Sequence, residues 1–169
     1  MAAYAPDDPT LTPAELAGSD PSVCGVVSLY GQADLIMAGA GRCDWLVGGT
    51  PTEMPDRYAQ LSPVHHVHPG CPPTLLVHGE HDEMAPVAAM RQLHRRLEQA
   101  GVPVTGVCLP HTDHGFDLLA TAWSPPARVA IHVLERFLAA LAATDHRPAA
   151  QPISGEPAKR AALPQARPV

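Results

Sequence analysis

The sequence predicts an α/β fold: a parallel sheet of about three strands with helices on its faces. Short, unbroken apolar runs recur at 23–30, 74–78 and 104–109, the pattern of strands buried on both faces. Helical periodicity fills the stretches between and after them, and parallel strands require such crossovers. With 169 residues and 46% hydrophobic content, the chain has material for one ordinary core.

The elements follow in order. Leu11-Thr12-Pro13-Ala14-Glu15-Leu16 reads as a helix start. Thr12 caps it, Pro13 takes the first helical position, Glu15 completes a capping box, and Leu11 staples onto Leu16. Gly18 stops it. VCGVVSLY, 23–30, is the first strand, and so greasy a strand makes a poor bare edge, so something upstream is expected to cover it. Residues 31–49 are Gly-rich and irregular. Thr50-Pro51-Thr52-Glu53 repeats the capping-box pattern and opens a short helix toward Leu61.

Pro72 and Pro73 punctuate the entry to the second strand, TLLVH at 74–78. A helix over 86–100 carries Val87, Met90, Leu93 and Leu97 on one stripe and ends at Gly101. The third strand is 104–109. Ser124-Pro125 opens the last helix, whose Val129, Val133, Phe137 and Leu141, with Leu134 and Leu138 beside them, form a broad apolar face. From 144 the chain turns to Pro, Ala, Gln and Arg without period, a disordered tail over 144–169.

Composition excludes several classes. The net charge is −6 with only 11 scattered Lys and Arg, so the basic patch that neutralises phosphates is missing and nucleic acid is set aside. No apolar stretch approaches the ~20 residues of a membrane span, and MAAYAPDDP lacks the features of a secretory signal. Cys24, Cys43, Cys71 and Cys108 occur singly and read as reduced and structural, which favours a cytoplasmic setting for the chain as given.

Open parallel sheets gather functional groups at the carboxyl ends of their strands. His78-Gly79-Glu80-His81-Asp82 follows the second strand and His111-Thr112-Asp113-His114-Gly115-Phe116-Asp117 the third. Adjacent strands would bring both loops to one rim, where a carboxylate fixes an imidazole's tautomer and steadies its protonated form. Asp82 alone also suits a helix cap, His114 alone a surface histidine, and His78 a packed side chain at a strand end. Tyr30 and Trp123 are candidate pocket walls that would hold an acyl or aryl group.

LSPVHHVHPGCPPTLLVHGEHDEMAPV, then GVPVTGV and LPHTDHGFD, resemble the C-terminal half of an α/β-hydrolase. The branch is that of esterases and lipases related to feruloyl esterases and prolyl oligopeptidase-type peptidases. The resemblance covers roughly residues 1–142. It implies a triad in the order Ser, Asp, His, with Asp82 of the G-x-x-D element as the acid and His114 of D-H-G-F as the base. It also implies an ester substrate, cleaved through an acyl-enzyme, and no cofactor. No G-x-S-x-G or HGGG element occurs in the 169 residues, and MAAYAPDDPTLTP resembles the end of the helix that follows the nucleophile. The expectation is therefore a chain that starts downstream of its serine, lacks the N-terminal half of the sheet, and is inactive or nearly so alone.

Three alternatives stand beside this. A peptidase of the prolyl oligopeptidase type shares these loops. A non-catalytic assembly module would use the bare edge of 23–30 to pair with another chain. A metal-dependent hydrolase would draw on His65, His66, His68, His78, His81, His111 or His114 with Asp82 or Asp113. H-E-x-x-H is absent, however, and the histidine spacing fits no common zinc pattern.

Overall fold

A computed structural model of the chain describes residues 3–6, 8–16, 18–118 and 123–145. Three strands, β1 (Val26–Leu29), β2 (Thr74–Gly79) and β3 (Val104–Leu109), form one sheet in the order β1-β2-β3. Both pairings are parallel, with Val26 opposite Thr74 and Thr74 opposite Val104. Between β1 and β2 lie α1 (Asp44–Val47), α2 (Pro55–Gln60) and a 3-10 turn over Pro63–His66. Helix α3 (Val87–Gln99) connects β2 to β3, and α4 (Pro125–Asp145) follows β3.

Side chains alternate across a strand, and β2, every residue of which is buried, feeds two cores. Leu76 joins Met90, Leu93 and Leu97 of α3 on one face. Leu75 and Val77 join Leu109 and Ala130 on the other, with Val133, Leu134 and Phe137 of α4 packed beside them. Burial of each such aliphatic side chain stabilises the fold by roughly 1.5–3 kcal/mol. A third cluster, Leu35, Ala38, Cys43, Val47 and Tyr58, sits within the β1-to-β2 crossover. There the Tyr58 hydroxyl donates to Asp44 Oδ1 at 2.7 Å.

The predicted parallel sheet with flanking helices is the observed one, and β3 has its predicted bounds. Several elements depart from expectation. The helix expected to open at Thr12 is a single 3-10 turn, Ala14–Leu16, with no buried residue. Thr12 Oγ1 donates back to the Asp8 carbonyl at 3.1 Å instead of capping it, and Leu16 is 53% exposed. Without an apolar face to bury, a stretch this short cannot sustain a helix. The Thr50 capping box does close, through Glu53 N to Thr50 Oγ1 at 3.3 Å and Thr50 N to Glu53 Oε2 at 2.9 Å. It bounds a turn, and α2 begins after it with Pro55 at its first position.

β1 is shorter than the apolar run that predicts it and is only half-buried, with Val27 38% exposed. Among the described residues it has one neighbour, β2, so its outer edge and much of its surface are open. β3 likewise is buried mainly at its end, at Leu109. Burial on both faces therefore describes β2 alone. On α4 the expected apolar face is narrower than the sequence suggests, because Val129 and Leu138 are 45% and 51% exposed. The helix runs through Thr144 and Asp145, the first two residues of the expected tail. Residues 146–169 lie outside the described residues.

Candidate active site

The carboxyl ends of all three strands meet at one rim. Tyr30 follows β1 and extends the ladder by donating its backbone N–H to Val77 O at 2.8 Å. The loop after β2 and the loop after β3 are stitched together through main chain. Glu80 N donates to Leu109 O at 2.9 Å and His81 N to Thr112 O at 3.0 Å. The first loop can come this close because Gly79 has no side chain: a methyl group there would drive into the Thr112 carbonyl. Asp113 adds a side-chain link, its Oδ1 accepting from His114 N at 2.7 Å and Glu83 N at 3.4 Å. Gly115, at φ +66°, turns the chain back after His114.

Within this frame Asp82 and His114 meet. Asp82 Oδ2 lies 2.9 Å from His114 Nδ1, while Asp82 Oδ1 accepts from Met84 N at 2.9 Å and Ala85 N at 2.7 Å. The Asp82 side chain is fully buried and the His114 side chain 27% exposed. A carboxylate only accepts, so Nδ1 carries the proton and Nε2 offers a lone pair. Among the described residues nothing hydrogen-bonds that Nε2. An imidazole with one nitrogen held by a buried carboxylate and the other open is competent to take and return a proton.

Tyr30 is the third member of this group. Its ring centroid is 4.5 Å from that of His114 at an interplanar angle of 55°, and it meets Phe116 edge-on at 5.3 Å. Its hydroxyl donates to Asp117 Oδ1 at 2.8 Å. That hydrogen bond to a carboxylate, with burial and the carboxylate's negative charge, pushes the phenol above its usual pKa. Tyr30 also has φ +45°, a left-handed backbone that non-glycine residues adopt at a cost and that concentrates at functional sites. Trp123, the other expected pocket wall, is 87% exposed and has no ring contact among the described residues. Ser124, next to it, donates to Phe116 O at 3.2 Å and accepts from Ala127 N at 3.4 Å, tying α4 to the His114 loop.

Two further residues join the group whose contacts the sequence does not assign. Asp117 lies in the loop after β3, where D-H-G-F-D places it two residues past the turn glycine. His78 was read as packed, and it is, but its Nε2 also lies 3.2 Å from Asp82 Oδ2. The other histidines do not converge. His66 Nε2 lies 2.7 Å from Gln60 O and His68 Nδ1 accepts from Gly70 N, while His81 and His111 meet ring edge to face at 5.4 Å. Among the described residues no three His, Cys, Asp or Glu side chains are grouped to hold a metal. Nor is any helix long and apolar enough to cross a membrane.

Comparison with known proteins bears on the family of the chain. The family model BD-FAE matches residues 8–97, a span that contains β1, β2, Asp82 and most of α3 and stops short of β3 and His114. The chain is 31% identical over 173 residues to the probable carboxylic ester hydrolase LipM of Mycobacterium tuberculosis, covering 97% of this chain and 38% of LipM. It is 33% identical over 140 residues to the esterase LipC of the same organism, covering 78% of this chain and 35% of LipC. It is also 32% identical over 100 residues to the uncharacterized peptidase YtmA of Bacillus subtilis, covering 56% of this chain and 38% of that protein. In fold it is similar to an esterase of Thermogutta terrifontis, with a TM-score of 0.63 at 20% identity over 79% of this chain and 48% of that one. The chain thus spans well under half the length of the curated relatives it matches.

Proposed function

The chain belongs to the BD-FAE family, an esterase-type branch of the α/β-hydrolases, and from that premise we propose that it supplies the acid and base of a serine carboxylic ester hydrolase. The observation that carries this reading is the 2.9 Å contact between Asp82 Oδ2 and His114 Nδ1 on the rim of a parallel sheet. His114 Nε2 takes the proton of a serine hydroxyl as its oxygen attacks the ester carbonyl carbon. It then returns that proton to the departing alcohol oxygen. In the second half a water molecule is deprotonated in the same way, attacks the acyl-enzyme and releases the acid and the serine. Asp82 stays ionised throughout, holding the tautomer and stabilising the imidazolium.

The serine and the oxyanion donors lie, in this proposal, in polypeptide outside the 169 residues, since no G-x-S-x-G or HGGG occurs within them. The open edge of β1 is where that segment pairs. Residues 1–143, with the last residues of α4 to Asp145, are then one portion of an α/β-hydrolase domain. Tyr30 lines the site beside the base, and Trp123, exposed just before α4, is the second candidate wall. Co-production with a polypeptide that carries those two elements should restore hydrolysis of a p-nitrophenyl ester. Asp82→Asn or His114→Ala should then remove about 10²–10⁴-fold of it. No recovery, or turnover indifferent to His114→Ala, would overturn the reading. An in-frame G-x-S-x-G in the genomic DNA upstream of the Met1 codon would support it independently.

The similarity to YtmA, whose name is that of a peptidase, gives a second reading in which the same pair serves an amide bond. A prolyl anilide run beside the ester in the restored enzyme decides between them by their kcat/KM ratio.

A further inference from the structure

His78 is a buried imidazole that the scheme above leaves without a task. It lies on β2, 1% exposed, with Nε2 2.7 Å from the Ala85 carbonyl oxygen and 3.2 Å from Asp82 Oδ2. Both neighbours are acceptors. An unprotonated Nε2 would set its lone pair against two oxygens where no water can intervene, so this nitrogen carries a proton. The second of those oxygens is the one that receives His114 Nδ1.

We propose that His78 is the positioning residue for Asp82: its Nε2–H, anchored on the Ala85 carbonyl at 2.7 Å and set 3.2 Å from Asp82 Oδ2, keeps that oxygen in place for His114. The proposal rests on the assignment of Asp82 and His114 as acid and base. Three contacts close a ring that argues for it. His78 Nε2 binds the Ala85 carbonyl, Ala85 N binds Asp82 Oδ1 at 2.7 Å, and Asp82 Oδ2 faces His78 Nε2 again. Asp82 Oδ1 therefore accepts from two backbone amides, while Oδ2 binds His114 Nδ1 and faces His78 Nε2, an arrangement that restricts the plane of the carboxylate. A residue serving only to fill space here would be aliphatic, because an imidazole taken out of water is costly unless its polar atoms find partners, as Nε2 does.

The test is NMR of the full 15N-labelled chain and needs no catalytic serine. The expected wild-type spectrum has His78 protonated at Nε2 and His114 protonated at Nδ1, with that hydrogen-bonded proton far downfield. In His78→Phe the His114 proton should be lost or exchange with water about tenfold or more faster, while the amide resonances of α3 and α4 stay in place. His78→Gln, whose side-chain amide reaches the same two oxygens, should keep it. A purely structural His78 would lower stability and leave the His114 resonance of the folded chain unmoved. That result, or a folded His78→Gln chain lacking the resonance, overturns the proposal. If His78→Phe does not fold, the wild-type tautomer decides together with His78→Gln: an Nε2 of His78 without a proton overturns it. Absence of the His114 Nδ1 proton from the wild type, or its survival in Asp82→Asn, would instead sink the acid–base assignment itself, and with it this inference.

Discussion

At the scale of single residues, the tyrosines carry more than packing. Tyr30 fastens the loop that bears His114 at two points, Phe116 and Asp117. Tyr30→Phe keeps the ring and removes the hydroxyl, so urea denaturation should show a loss of about 0.5–1.5 kcal/mol. Tyr58 is wholly buried, and burial together with its hydrogen bond to Asp44 pushes its phenol up to about 12. The folded chain thus holds this proton more tightly than the unfolded chain, whose phenol titrates near 10. Its stabilising effect is complete below pH ~10 and disappears as pH climbs toward ~12. Tyr58→Phe should flatten the decline of stability across that window, as read by thermal melts at stepped pH. The juxtaposition of Asp82 and His114 was legible in the sequence because each follows one of two adjacent parallel strands. Tyr30 was legible as an aromatic near the rim, but not as a neighbour of His114. That contact depends on a left-handed backbone angle at Tyr30 and on Asp117 lying across the sheet, neither of which has a periodicity to read.

Among elements, β2 and α3 were readable almost to the residue, for a physical reason. β2 is buried throughout, and α3 buries a single stripe, Met90, Leu93 and Leu97, ending at Gly101 with φ +74°. Where burial decides the conformation, the apolar pattern records it. The start at Thr12 failed because capping chemistry marks where a helix would begin without supplying a face to hold it. β1 failed in length because an apolar run does not say which of its residues find a partner. Gly25 sits close against Leu141 and Phe137 of α4, and the ladder begins at Val26. The juncture of β2 with its loop gives a sharp prediction. Gly79→Ala places a methyl group against the backbone of Thr112 and Asp113, which no rotamer change relieves. The expected cost is about 1–3 kcal/mol, measured as a lower urea midpoint, together with loss of the His114 Nδ1 proton resonance.

For the molecule as a whole, the decisive feature is a three-stranded sheet whose first strand is half-covered and pairs on one side only among the described residues. Such an edge is a template for further strand pairing. Sedimentation velocity should show the isolated chain associating as its concentration rises, and Val27→Lys should shift it toward monomer. The same variant should also impair recovery of hydrolysis on co-production. The main-chain stitching between the two rim loops has a further consequence. Because Glu80, His81, Leu109 and Thr112 hold one another through peptide groups, the identities of the side chains at 80 and 81 are free of that duty. A combinatorial library confined to those two sites would retune charge and shape at the rim while leaving the main-chain links beneath it intact.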